Sequence, residues 1–233
     1  MNTEKNFRNF NFLIFSRRAL IAVAIFFLWK YALTIGYNIF NINKDPWEYL
    51  NFMRNFGRFS SHSLGIIVAI ISLFIYSFFD TDIKLGKIKD ANSIKFIFYI
   101  FLLYFLFSVL ENLFGFQKEE FTKNIFNVSI YGQIATAFTI FLIAPIAEEI
   151  IFRGFLLNPF IKYGKWFQLA GIILISLLFA YLHKSQYQLF TLIQLFLFSV
   201  MLSFSRIKSG GLLLPIILHS EAAFLAVLFN KII

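Results

Sequence analysis

The sequence contains no cysteine, which excludes disulfide cross-links, thiolate nucleophiles and Cys-ligated metals. Charge is also scarce. Asp, Glu, Lys and Arg make up 14% of the 233 residues, where a soluble domain of this length carries about 25%. Hydrophobic residues make up 59%, and the mean hydropathy is +0.75. No room is left for a sizeable soluble domain. There is no internal repeat and no low-complexity linker. No small-residue cleavage site follows the basic start (Lys5, Arg8, Arg17, Arg18), so the first apolar run reads as an uncleaved span rather than a signal peptide.

What is present is apolar and comes in runs. Runs at 19–40, 64–79, 94–110, 131–157, 167–182, 189–204 and 212–229 are read as spans of a bilayer core of ~30 Å, the second being the weakest of them. The expected fold is an all-α polytopic transmembrane bundle of about seven spans (six to eight), with residues 1–233 as a single integral membrane domain. Polar segments at 41–61 and 116–129 read as interfacial amphipathic helices. With the N-terminus inside, the inner segments carry 12 Lys and Arg and the outer segments 7, which favours a cytoplasmic N-terminus. The formal charge of +9 therefore reads as topology and anionic-lipid contact, not nucleic-acid binding. The 35 Phe, with many Ile, Asn and Lys, look like A+T-rich coding bias in a bacterial cell-membrane protein, and read as core or lipid-facing side chains rather than a binding surface.

Against this background the fourth span is unusual. Glu148, Glu149 and Arg153 interrupt a run that is otherwise almost wholly apolar. Each charge near a bilayer centre costs from roughly 3 kcal/mol upward, so together they imply a polar cavity inside the bundle. Neighbours on a helix point ~100° apart, so the two glutamates face different ways. Glu149 and Arg153, at i and i+4 with the acid first, are spaced to pair. Glu148 has no such partner in its own helix and is the free carboxylate. Pro145, one turn upstream, frees the carbonyl of Phe141 and is placed to bend the helix.

Of the three histidines, His183 ends the fifth span and His219 lies well inside the last. His62 sits at the edge of the second span and reads as an interfacial residue without a role. Polar groups on three spans can make one site, and two chemistries fit. In one, Glu148 and His183 hold a water that attacks a peptide carbonyl, and His219 donates to the oxyanion. In the other, the histidines and a carboxylate bind zinc. No His-Glu-x-x-His helix is present, so a metal-independent site with no cofactor is preferred, zinc not being excluded.

These residues resemble the CPBP family of CAAX proteases and bacteriocin-processing enzymes, also called the Abi family. Glu148-Glu149-x-x-x-Arg153 matches its first motif, Phe179-x-x-x-His183 its second, and His219 the start of its third. Pro145 before the paired acids, Phe-Arg-Gly after them, and Gly-Gly-Leu-Leu-Leu-Pro ahead of His219 are also similar. The resemblance covers 131–229. It implies an intramembrane endopeptidase with a conical cavity, in which Glu148 and His183 activate water and Glu149 and Arg153 support the geometry. The substrate class would be a hydrophobic or membrane-associated peptide. One position departs: Ala223 stands where the family's third motif has Asn or Asp, and alanine cannot donate a hydrogen bond. Two readings follow. Either the chain is a protease with an altered oxyanion site, or it is a non-catalytic adaptor or bacteriocin-immunity protein that binds a membrane protein on the same bundle.

Overall fold

A computed structural model describes residues 11–39, 56–79, 83–88, 91–116 and 129–232. Its main helices are α1 (Phe12–Asn38), α2 (Arg58–Ser77), α3 (Ala91–Leu113), α4 (Ile130–Leu156), the short α5 (Asn158–Ile161), α6 (Lys165–Leu182), α7 (Leu189–Ser209) and α8 (Leu213–Ile232). No strand occurs among the described residues. Among the described residues six helices are long and apolar enough to cross a membrane, and Leu213–Phe229 adds a shorter apolar one. The expected helical bundle is therefore observed. The interfacial segments expected at 41–61 and 116–129 lie largely outside the described residues. Large apolar side chains such as Phe27, Ile71, Phe98 and Leu174 face outward. In water this surface would be untenable, whereas in lipid it is the normal exterior.

The bundle is organised around α4, which touches α1, α2, α6, α7 and α8. Half of its most apolar window is buried, the largest share of any span, and from 147 to 159 every residue is buried. Such a helix has no lipid-facing side over that stretch, which is why it can carry charges. It is not a regular α-helix. Thr139–Ile143 and Ile150–Leu156 form π-helical turns on either side of the glutamate pair. In the first, the N–H of Ala144 reaches back to the carbonyl of Thr139. That widened turn lies where the Pro145 ring would crowd the carbonyl four residues earlier in a regular helix. Single π turns of this kind are common at functional sites.

Two close backbone approaches set the frame. In the antiparallel α1–α2 pair, a Cβ on Gly36 would lie 2.7 Å from the Ser60 carbonyl oxygen, and Ser61 Oγ donates to the Leu33 carbonyl at 2.7 Å. The second approach joins the 83–88 segment to the turn before α8. Leu212 N–H donates to the Lys84 carbonyl (3.0 Å) and Leu213 N–H to the Leu85 carbonyl (2.8 Å). These carbonyls satisfy donors at the start of α8 that have no intrahelical partner. Gly86 sits at φ +78°, and a Cβ on Gly211 would collide with the Gly86 backbone nitrogen. The clamp fixes the depth of α8, and with it His219, about 9 Å along the helix from Leu213.

Gly211→Ala forces these two backbones apart. The expected outcome is a loss of about 1–3 kcal/mol, the usual cost of overpacking. It should be seen as a lowered midpoint in thermal unfolding of the detergent-solubilised protein. Gly115→Ala tests a glycine with nothing within 4 Å of its would-be Cβ among the described residues but a φ of +66°. It should cost only the smaller backbone strain.

Candidate active site

The first acid of the pair faces open space and the second is locked inside. Glu149 is fully buried, and its Oε1 accepts from Arg153 Nη1 at 2.8 Å. The guanidinium is fully buried too. Its Nη2 donates to the Ser199 hydroxyl (2.8 Å) and the Ser199 carbonyl (3.1 Å) on α7. Its Cζ lies 5.1 Å from the Phe179 ring centroid, a cation–π contact from α6. Arg153 thus ties α4 to α6 and α7, while Glu149 neutralises it from one turn away.

The same Glu149 oxygen lies 2.8 Å from His219 Nδ1 on α8. A carboxylate accepts, so this contact places a proton on Nδ1. The other ring nitrogen, Nε2, points toward Glu148 Oε2 at 3.9 Å, too long for a hydrogen bond. Glu149 therefore orients an imidazole whose far edge faces its neighbouring acid. On α6, His183 Nδ1 lies 2.8 Å from the Phe179 carbonyl, four residues back. That carbonyl can only accept, so Nδ1 donates, and in the neutral ring Nε2 carries the lone pair. Phe179 backs both imidazoles, with ring centroids 4.8 Å from His183 and 5.9 Å from His219.

Glu148, His183 and His219 all line a cavity of about 610 Å³ between α1, α2, α4, α6 and α8. A second, smaller lobe of about 190 Å³ adjoins it. It is walled by Tyr104, Phe107, Phe179, Phe190, Phe198 and Phe229. The two lobes share His183, Tyr187, His219, Ala223 and Ala226. Ala223 therefore sits at the junction, where its methyl group offers no donor. Among the described residues, no group of three or more His, Cys, Asp or Glu is close enough to hold a metal ion.

The structure thus brings Glu148, Glu149, Arg153 and His219 into one connected group, with Phe179 and His183 beside it. Two residues were missed in the sequence. Ser199 lies 46 positions from Arg153, and its only signal was a serine in an apolar run. His62, read as interfacial, instead lines the larger lobe. Glu148, Arg58, His183 and Lys30 all act on it electrostatically, and its buried Nδ1 has no hydrogen-bond partner among the described residues. A short run at the edge of a span gave no period from which to read which way it faced.

Residues 130–225 match the family model described as type II CAAX prenyl endopeptidase Rce1-like. Over 113 residues the chain is 44% identical to a curated protein of Escherichia coli described as an uncharacterized 24.3 kDa protein. That stretch is 48% of this chain and 52% of the relative, so the chain spans about half the length of the curated relative it matches. No solved structure matches the chain. The likeness to the CAAX proteases read from the motifs is thus shown over 130–225, an Rce1-like segment in a multi-pass membrane protein.

Leaving Glu149 or Arg153 buried without its partner should cost about 3–5 kcal/mol. Arg153→Met and Glu149→Gln are each expected to lower the unfolding midpoint sharply. The double variant should lose clearly less than the sum of the two. Additive losses in that double-mutant cycle would show that the two side chains are not coupled.

Proposed function

We propose that this protein is an intramembrane endopeptidase that cleaves a hydrophobic or membrane-associated peptide with water activated by Glu148 and His183. The observation that carries this reading is the placement of Glu148. It is the acid left over after Glu149 has been committed to Arg153 and His219, and it lines a cavity within the bundle alongside both histidines. A general base must reach the water it activates, and a carboxylate committed to a buried ion pair cannot serve.

In this mechanism a water sits between Glu148 and His183 Nε2. As its oxygen bonds to the peptide carbonyl carbon, Glu148 takes the proton. Charge develops on the carbonyl oxygen, and His219 Nε2 faces that position when its ring carries both protons, Nδ1 being held by Glu149. Collapse of the tetrahedral species breaks the C–N bond, and the proton held by Glu148 passes to the leaving amine. The lipid bilayer surrounds the site, and the cavity admits the peptide. The excess of Lys and Arg in the inner loops supports a cytoplasmic N-terminus in a bacterial cell membrane.

Ala223 favours a second reading. Loss of one oxyanion donor typically costs 10²–10³ in rate, and the alanine methyl stands at the junction of the two lobes. A bundle that has given up cleavage would act by binding, as an adaptor or immunity protein.

Two variants separate the readings. Peptide profiles of membranes and medium are compared by mass spectrometry in cells carrying wild type or Glu148→Gln at matched membrane levels. Products seen only with wild type are the expected result, and identical profiles with full rescue of the deletion phenotype would leave the binding reading standing. Ala223→Asn should raise kcat by about 10² if the altered position limits the rate. No gain in a variant that still folds would mean that this donor is not what limits turnover.

A further inference from the structure

The larger lobe is built on one side by α4, α6 and α8 and on the other by α1 and α2, which precede the family-matched segment. That second wall is cationic. Lys30 on α1 and Arg58 on α2 both line it, and among the described residues the lobe's carboxylate is that of Glu148. His62 lines the same lobe, and Glu148, Arg58, His183 and Lys30 all act on it electrostatically. Lys30 interrupts a span whose other residues are almost all apolar, and a lysine inside a span is expensive unless it faces water or a partner. Among the described residues no acidic side chain pairs with its ammonium. Snorkelling to the lipid interface does not describe it, because it lines the interior lobe beside Trp29 and Leu33. Low-dielectric walls focus the field of such charges into the cleft they line.

We propose that Lys30 forms a carboxylate-binding subsite on the α1 wall of this lobe. The peptide taken by this cavity would then carry a carboxylate, as an acidic side chain or as its own C-terminus, next to the bond that meets Glu148. The inference rests on the peptidase reading for its substrate class, but carboxylate binding is measurable without cleavage. The subsite lies on α1, outside the 130–225 segment, so two chains that share that segment can differ in it.

The test uses the full-length protein in detergent and three fluorescent decapeptides of one apolar sequence. One ends in a free carboxylate, one in an amide, and one in an amide with a Glu placed near the end. Binding is read by anisotropy on wild type and on Glu148→Gln, and cleavage on wild type. At least one of the two acidic peptides should bind about tenfold more tightly than the neutral amide, the scale of one charge-assisted hydrogen bond. Whichever is preferred identifies the source of the carboxylate. Lys30→Gln should bring the acid-to-amide ratio close to one, and Lys30→Arg should restore it. Equal binding of all three peptides by wild type overturns the proposal, and so does a preference that survives in Lys30→Gln. A fall in affinity for all three peptides alike would mean that Lys30 acts on the cavity as a whole and not on a carboxylate. A clear acid preference without any cleavage by wild type would uphold the subsite while removing the peptidase reading.

Discussion

The buried guanidinium of Arg153 is the constraint around which the bundle is arranged. A charge with no access to water must be surrounded by acceptors, and they come from different helices: Glu149 one turn away on α4, and the hydroxyl and carbonyl of Ser199 on α7. Phe179 from α6 covers its face. Because the same Glu149 oxygen also meets His219, the rotation of α8 about its axis is tied to the same ion pair. Buried ion pairs of this kind add little net stability relative to apolar packing. Their effect here is to fix one arrangement of four helices, since any other leaves a charge unpaired.

That arrangement divides labour between two adjacent acids. Glu149 is spent on structure, which leaves Glu148 as the acid of the pair on the cavity wall. The ~100° step between neighbours makes the division possible. The π turns on either side of the pair mark where the helix departs from regular geometry to accommodate it. The cavity is also divided: an aromatic lobe and a cationic lobe meet at His183, His219 and Ala223. A peptide lying across that junction would present different chemistry on the two sides of one bond. The alanine in the place of a donor thus stands where the two halves of any ligand would join.

Much of this was legible in the sequence because burial of charge in an apolar run leaves so few solutions. The spans, the Glu149–Arg153 spacing, the isolation of Glu148 on its own helix and the alanine at 223 could all be read from residue type and helical period. The partners across helices could not. Ser199 supplies a hydroxyl and a backbone carbonyl, and no periodicity says which of several serines in α7 faces α4. Glu149 was legible as a partner for Arg153 but not as the residue that orients His219, because that contact spans 70 positions. His62 was misread for a related reason. A histidine at the edge of a short span looks interfacial until the placement of α2 against α1 and α4 turns it inward. The α1–α2 wall carries no family motif, and its cations are meaningful only once the cavity that they face is known.

The complete enclosure of α4 from 147 to its end at 156 also bears on how the chain is made. Spans enter the bilayer in the order of synthesis, and a helix is tested against lipid before its later neighbours exist. Glu148, Glu149 and Arg153 together oppose partitioning by several kcal/mol on insertion scales. Ser199 and His219, which satisfy them, are translated about 50 and 70 residues afterwards. Until then the Glu149–Arg153 pair is the only neutralisation the helix carries with it. The ion pair that orders the mature bundle is therefore also what lets its central helix wait in the membrane for the partners that complete it.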